Sequence, residues 1–160
     1  MKKYLKLMRV KHYIKNFLVF LPFIFSGQFF KPFYLVRAIV GFLAFCLVSS
    51  AVYIFNDIRD AERDRLHPTK KNRPIASGAV SKRAAYILGI CLVLATAVLQ
   101  YFSQAVEWYA WVILVAYLLL NIAYSMKLKN IPIVDIAILV SGYVLRVLYG
   151  SALGGIEISR

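Results

Sequence analysis

Five stretches of this chain are almost unbroken in apolar residues, and the polar residues gather in the connections between them. The runs are roughly Phe17–Phe30, Ala38–Phe55, Ala84–Phe102, Trp108–Tyr124 and Ile133–Leu153. Crossing a bilayer takes about 20 residues of helix. A backbone in lipid must also satisfy its own hydrogen bonds, which a helix does. The pattern predicts an all-α integral membrane protein with about five transmembrane helices. The alternation that a transmembrane β-barrel needs is absent.

Composition agrees: 61% of the residues are hydrophobic, and the mean hydropathy is +0.69. The N-terminal stretch Met1–Asn16 differs from the runs. It mixes six Lys/Arg with Tyr4, Leu5, Leu7, Met8, Val10 and Ile14, which suits an interfacial amphipathic segment on a membrane surface. No small-x-small cleavage site follows, so the first run reads as a retained helix.

Charge adds an orientation. Most of the basic residues lie before the first run, between the second and third (Arg59 to Arg83), and after the fourth (Lys127, Lys129), with Lys31 and Arg37 on the opposite side. The positive-inside rule puts these segments in the cytoplasm. The net charge of +13 suits anionic lipids or phosphorylated substrates. No nucleic-acid reader motif is present. Cys46 and Cys91 sit inside apolar runs and read as small buried hydrophobes. His12 and His67 are isolated.

The chemistry concentrates in residues 56–83, read as a cytoplasmic substrate loop. Four of the chain's seven carboxylates lie there. If the second helix continues past Phe55, then Asp57, Asp60 and Asp64 fall within about 60° of one another, and Asn56 joins Asp60 and Asp64 in a row. Glu62 points elsewhere. Aligned carboxylates repel one another unless a cation sits among them. Magnesium takes oxygen ligands and is usually shared between one or two carboxylates and substrate phosphates. The row therefore reads as half of a magnesium-diphosphate site, against the plainer reading of a solvated helix end. "HPTKKNRPIASG" follows directly. Its prolines break the helix, so Lys70, Lys71 and Arg73 lie on a loop able to fold back over the carboxylates and hold phosphate oxygens.

A third cluster, "YSMKLKNIPIVD", runs from Tyr124 to Asp135 in the next loop on the same side. Asp135 and Arg146 lie about 20° apart around the last helix. Ionisable residues at such depth are functional candidates or buried ion pairs. Gly150 and Gly154 form a GxxxG, a weak signal for helix packing.

Together these residues carry a resemblance. Asn56-Asp57-x-x-Asp60-x-x-x-Asp64 resembles the first aspartate-rich motif of the UbiA superfamily of membrane prenyltransferases, and "KNRPIASG" resembles its Arg-Pro loop. "HPTK", "RVKHYIKN" and "YSMKLKNIPIVD" are similar to the branch that transfers phosphoribose to decaprenyl phosphate. Val10 and His12-Tyr13 depart from the branch's usual N-terminal motif. The resemblance covers nearly the whole chain but only the N-terminal half of such a helical bundle. It implies a truncated chain, or one whose site is completed by a second chain or another copy.

The resemblance also implies roles. Asn56, Asp57, Asp60 and Asp64 would hold Mg2+ and the donor diphosphate, with the three aspartates catalytic. Lys15, Asn16, Lys70, Arg73 and Lys129 would serve the substrate phosphates, and Tyr124 and Asp135 would line the donor pocket. The donor would be phosphoribosyl pyrophosphate and the acceptor a polyprenyl phosphate, in cell-envelope glycan precursor synthesis. Two alternatives are a UbiA-type enzyme joining a prenyl diphosphate to an aromatic acceptor and a non-catalytic membrane subunit.

Overall fold

The computed structural model describes residues 2–126 and 132–157. Among them all the regular structure is helical and there is no strand. A short helix α1 (Lys2–Leu7) leads into a 3-10 helix (Val10–Phe20), then α2 (Leu21–Phe25) and a 3-10 turn (Gln28–Phe30). The long helix α3 (Pro32–Arg65) follows, then α4 (Lys82–Phe102), α5 (Tyr109–Met126) and α6 (Pro132–Gly154).

Four helices are long and apolar enough to cross a membrane: α3, α4, α5 and α6. They overlap the last four predicted runs. The first run, Phe17–Phe30, corrects the expected count, because it folds as three short pieces rather than one spanning helix. Its continuity ends at Gly27, whose φ of 71° is left-handed and open mainly to glycine. The 3-10 stretch is also tied to its neighbours by side chains. Asn16 donates to Cys46 Sγ and Ser49 Oγ, both at 3.2 Å, and accepts from Arg146.

Helix α3 is the spine of the bundle. In its most apolar window 61% of the residues are buried, against 28% in α4 and 22% in α5. The outer helices turn Leu94, Val98, Val115 and Leu119 outwards, the surface expected of a helix that faces lipid rather than water. Cys91 belongs to that exposed face, whereas Cys46 is buried as expected.

Two apolar cores flank α3. One joins Val19 and Phe23 to Phe45, Tyr117, Tyr149 and Leu153. Here α6 approaches the N-terminal segment closely: a Cβ on Gly150 would lie 2.1 Å from the carbonyl oxygen of Val19. The second core gathers Leu7, Ile54, Ile58, Ile75, Val80 and Leu92. It pins both the N-terminus and the loop after α3 against the end of that helix.

At about 1.5 Å per residue, the 34 residues of α3 reach roughly 50 Å. A bilayer core is about 30 Å thick, so the last turns of α3 extend beyond it. Those turns carry the aspartates.

Candidate functional site

Helix α3 runs without interruption through Asn56, Asp57, Asp60 and Asp64 and ends at Arg65. All four residues therefore lie on one helical stripe. Asp57 and Asp64 face inwards and are buried, each 3% exposed. Asn56 and Asp60 are half-buried. Asn56 Oδ1 accepts from Ser125 Oγ at 2.9 Å, and Asp60 has a partner of its own. Glu62 points to solvent and pairs with Arg65 and Lys82.

The loop after α3 returns along the stripe for a local reason. Ile75 and Val80 are buried beside Ile58 and Ala61, and Arg65 Nε donates to the carbonyl of Ala76 at 3.2 Å. Val80 N donates to Pro74 O, and Gly78 takes a left-handed φ of 78°. Ser81 then caps α4 by accepting from Ala84 N. Burying Ile75 brings Arg73, two residues earlier, over the aspartates. Its Nη1 donates to Asp64 Oδ2 at 2.7 Å and to Asp57 Oδ1 at 3.3 Å. Two buried carboxylates thus converge on one cationic nitrogen.

A second cation comes from the N-terminus. Arg9 Nη2 donates to the same Asp57 Oδ1 at 2.6 Å, and its guanidinium lies over the Tyr53 ring, 4.7 Å from the centroid. Arg9 is a non-glycine residue with φ 53°, at the junction of α1 and the 3-10 helix. The left-handed region costs an L-residue about 1–2 kcal/mol. The paired charge and the buried Leu7 offset that strain. Nearby, burial and the cations Arg9 and Lys15 hold the His12 imidazole below its ordinary pKa.

Two aspartates and two arginines make this cluster locally neutral. Its oxygen donors have the chemistry magnesium prefers. Among the described residues no three His, Cys, Asp or Glu side chains close into a metal cage. An open stripe of this kind suits magnesium shared with substrate phosphates, which needs only one or two carboxylates. Beside the stripe, a cavity of about 430 Å³ is lined by Asn56, Arg59, Lys82, Tyr86, Asn121 and Ser125, among others.

The other expected residues distribute unevenly. Lys70 is exposed, in a single 3-10 turn (Lys70–Asn72). Asn16 is buried within the bundle, and Lys15 is exposed with its ammonium over Tyr143, 5.8 Å from the centroid. Tyr124 is engaged with a partner. Lys129 lies outside the described residues, as does the side chain of Asp135. Sequence reasoning missed Arg9 as a partner of Asp57. No local signal points to that pairing across 48 residues.

The chain matches the family model described as the UbiA prenyltransferase family over residues 17–159. It is 35% identical to a decaprenyl-phosphate phosphoribosyltransferase of Corynebacterium glutamicum, over 98% of this chain and 47% of that protein. The homologue of the same name in Mycolicibacterium smegmatis is 34% identical, over 98% and 49%. A solved structure of digeranylgeranylglyceryl phosphate synthase superposes with a TM-score of 0.79 at 27% identity, covering 96% of this chain and 53% of that one. The chain thus spans about half the length of the relatives it matches. With the motif, the helical architecture and the family match in agreement, this chain belongs to the UbiA prenyltransferase family.

Proposed function

We propose that this chain forms the donor-binding half of a membrane transferase that moves phosphoribose from phosphoribosyl pyrophosphate to a polyprenyl phosphate. The observation that carries the reading is the convergence of Asp57 and Asp64 on one nitrogen of Arg73. The cation that the two buried carboxylates hold there is itself a guanidinium able to bind phosphate oxygens. Similarity to phosphoribosyltransferases over nearly the whole chain supports the choice of donor.

In this reading Asn56, Asp57, Asp60 and Asp64 hold magnesium. When bound, magnesium neutralises charge that develops on the leaving diphosphate. Arg73 and Arg9 supply the remaining positive charge, with Lys70 at the solvent edge. An oxygen of the acceptor phosphate attacks ribose C1. The bond from C1 to the diphosphate oxygen breaks, and the diphosphate leaves with the electron pair. The arginines are held by Asp57 before substrate arrives, so little reorganisation is needed as charge builds.

Membranes holding the protein should transfer label from phosphoribosyl pyrophosphate to polyprenyl phosphate only with magnesium. Transfer from a prenyl diphosphate to an aromatic acceptor, with none from phosphoribosyl pyrophosphate, would replace this reading. The aspartate stripe faces the cytoplasm of a bacterial inner membrane in this proposal. A cysteine at exposed Ser77 should react with an impermeant maleimide in inverted vesicles and resist it in intact cells. The reverse pattern would invert the topology.

A further inference from the structure

Arg146 is an unusual charge. It lies in α6, inside the bundle, and is 5% exposed. Among the described residues no carboxylate is within ion-pair distance of it, whereas Arg9 and Arg73 both have one. Three of its N–H groups are satisfied by neutral oxygens. Nε donates to Asn16 Oδ1 at 2.8 Å, Nη1 to the carbonyl of Gly142, and Nη2 to Tyr117 Oη at 3.2 Å. The rings of Phe45, Tyr117 and Tyr143 lie 5.1, 5.3 and 5.8 Å from the guanidinium carbon. A guanidinium has five N–H donors, so two remain.

The same guanidinium lines a small cavity of about 100 Å³, with Lys15, Tyr53, Asn121 and Tyr143 around it. That is room enough for a small polar group such as a phosphate. Two cations line it, and none of its described lining residues is acidic. Cationic clefts with low-dielectric walls concentrate anions. A buried charge without a counter-charge is costly unless something compensates it.

The cavity is also well placed. Tyr53 precedes Asp57 by one turn of α3, about 6 Å. One face of its ring carries Arg9 of the aspartate cluster, and Tyr53 also borders the cavity. Two anion sites of different character therefore adjoin along α3. The outer one pairs cations with carboxylates. The inner one has, among its described lining residues, cations and no carboxylate, which suits a phosphate that arrives without a metal.

We infer that Arg146, with Lys15 at its mouth, forms a second site that binds the phosphomonoester head of the lipid acceptor, next to the donor clamp. The assignment rests on the proposed transferase reading only for the identity of the lipid. Gly142 and Asn16 act as positioning residues. A Cβ on Gly142 would stand 3.3 Å from Arg146 Nη1, and Asn16 fixes the plane of the guanidinium.

The test is equilibrium binding to the protein in lipid nanodiscs. Decaprenyl phosphate should bind at least tenfold more tightly than decaprenol, which lacks the phosphate. Arg146→Gln should lose at least tenfold for decaprenyl phosphate, Lys15→Gln several-fold, and Arg146→Lys should recover part of the loss. Wild-type affinity in both glutamine variants overturns the inference. If Arg146→Gln fails to fold, Lys15→Gln decides alone, because Lys15 is exposed. Inorganic phosphate should compete only weakly; competition as strong as the lipid's makes free phosphate the ligand and overturns the headgroup assignment. Magnesium-dependent binding of phosphoribosyl pyrophosphate, read in the same samples, separates the two proposals. Its absence from wild-type protein sinks the donor assignment and leaves the Arg146 dependence of lipid binding standing.

Discussion

Arg73 and Arg146 carry the same charge into the same bundle and are stabilised in opposite ways. Arg73 sits on a loop at the end of α3 and bridges two buried carboxylates. Arg146 sits within α6 among aromatic faces, a backbone carbonyl, an amide and a hydroxyl. The first arrangement neutralises the charge, and the second only solvates it. The carboxylates Asp57 and Asp64 balance the charge of Arg73 within the cluster itself. Around Arg146 a positive field persists until an anion arrives. In the proposed transferase the first arrangement would serve the anionic donor and the second the anionic acceptor.

Removing the carboxylate should have the largest effect. Asp57→Ala leaves Arg9 and Arg73 without their shared partner. Breaking a buried pair costs about 3–5 kcal/mol. The two arginines are 22% and 26% exposed at their side chains and can partly rehydrate, which places the loss near 3 kcal/mol. Unfolding in mixed micelles measures it, and donor binding should fall more than a hundredfold in the same variant. Stability within error of wild type would show that the cluster is not a stabilising ion pair.

Next in size is Gly150→Ala, which strikes the second region alone. The added methyl meets the Val19 carbonyl at 2.1 Å, so α6 must withdraw from the 3-10 helix that carries Asn16. Overpacking of this kind costs about 1–3 kcal/mol. Lipid-phosphate binding should weaken while donor binding holds. Equal losses of both would show that the two sites are not separable.

Arg146→Met should change stability least among the core variants. Relief of an uncompensated buried charge offsets the cost of leaving Asn16 Oδ1 and Tyr117 Oη without their donor. The expected shift is under about 1 kcal/mol in either direction, checked by the same unfolding titration. A loss comparable to that of Asp57→Ala would make Arg146 a structural residue.

The smallest effect is a pH slope at His12. The folded protein resists protonating this imidazole, so the unfolded chain binds the proton more readily. Stability should therefore fall as pH drops through the ordinary imidazole range, and level off below the folded value. His12→Asn should remove that slope in thermal scans between pH 8 and about pH 5; an unchanged slope assigns it to other groups.

Much of the site was legible because it is local. The stripe Asn56, Asp57, Asp60, Asp64 follows from helical periodicity once α3 continues past Phe55. The break that lets Arg73 return follows from Pro68 and Pro74. Four of the five predicted spans are helices, three of them close to their predicted limits, while α3 (Pro32–Arg65) runs well past both ends of Ala38–Phe55. The misreading was of another kind. Phe17–Phe30 has the composition of a span, yet it folds as short pieces tied down by Asn16. The side chain of Asp135 lies outside the described residues, and the contacts described for Arg146 are with neutral groups and rings.

The sequence by itself determined the class, the spans α3 to α6 and the aspartate stripe, because apolar run length and helical period depend only on neighbouring residues. The tertiary structure alone decided which cations meet which anions. Arg9 reaches Asp57 across 48 residues and Arg146 reaches Asn16 across 130. Such contacts depend on how helices pack, at Gly150 against Val19 and at Ile75 against Ile58. Packing is a property of shapes brought together, which no window along the chain contains.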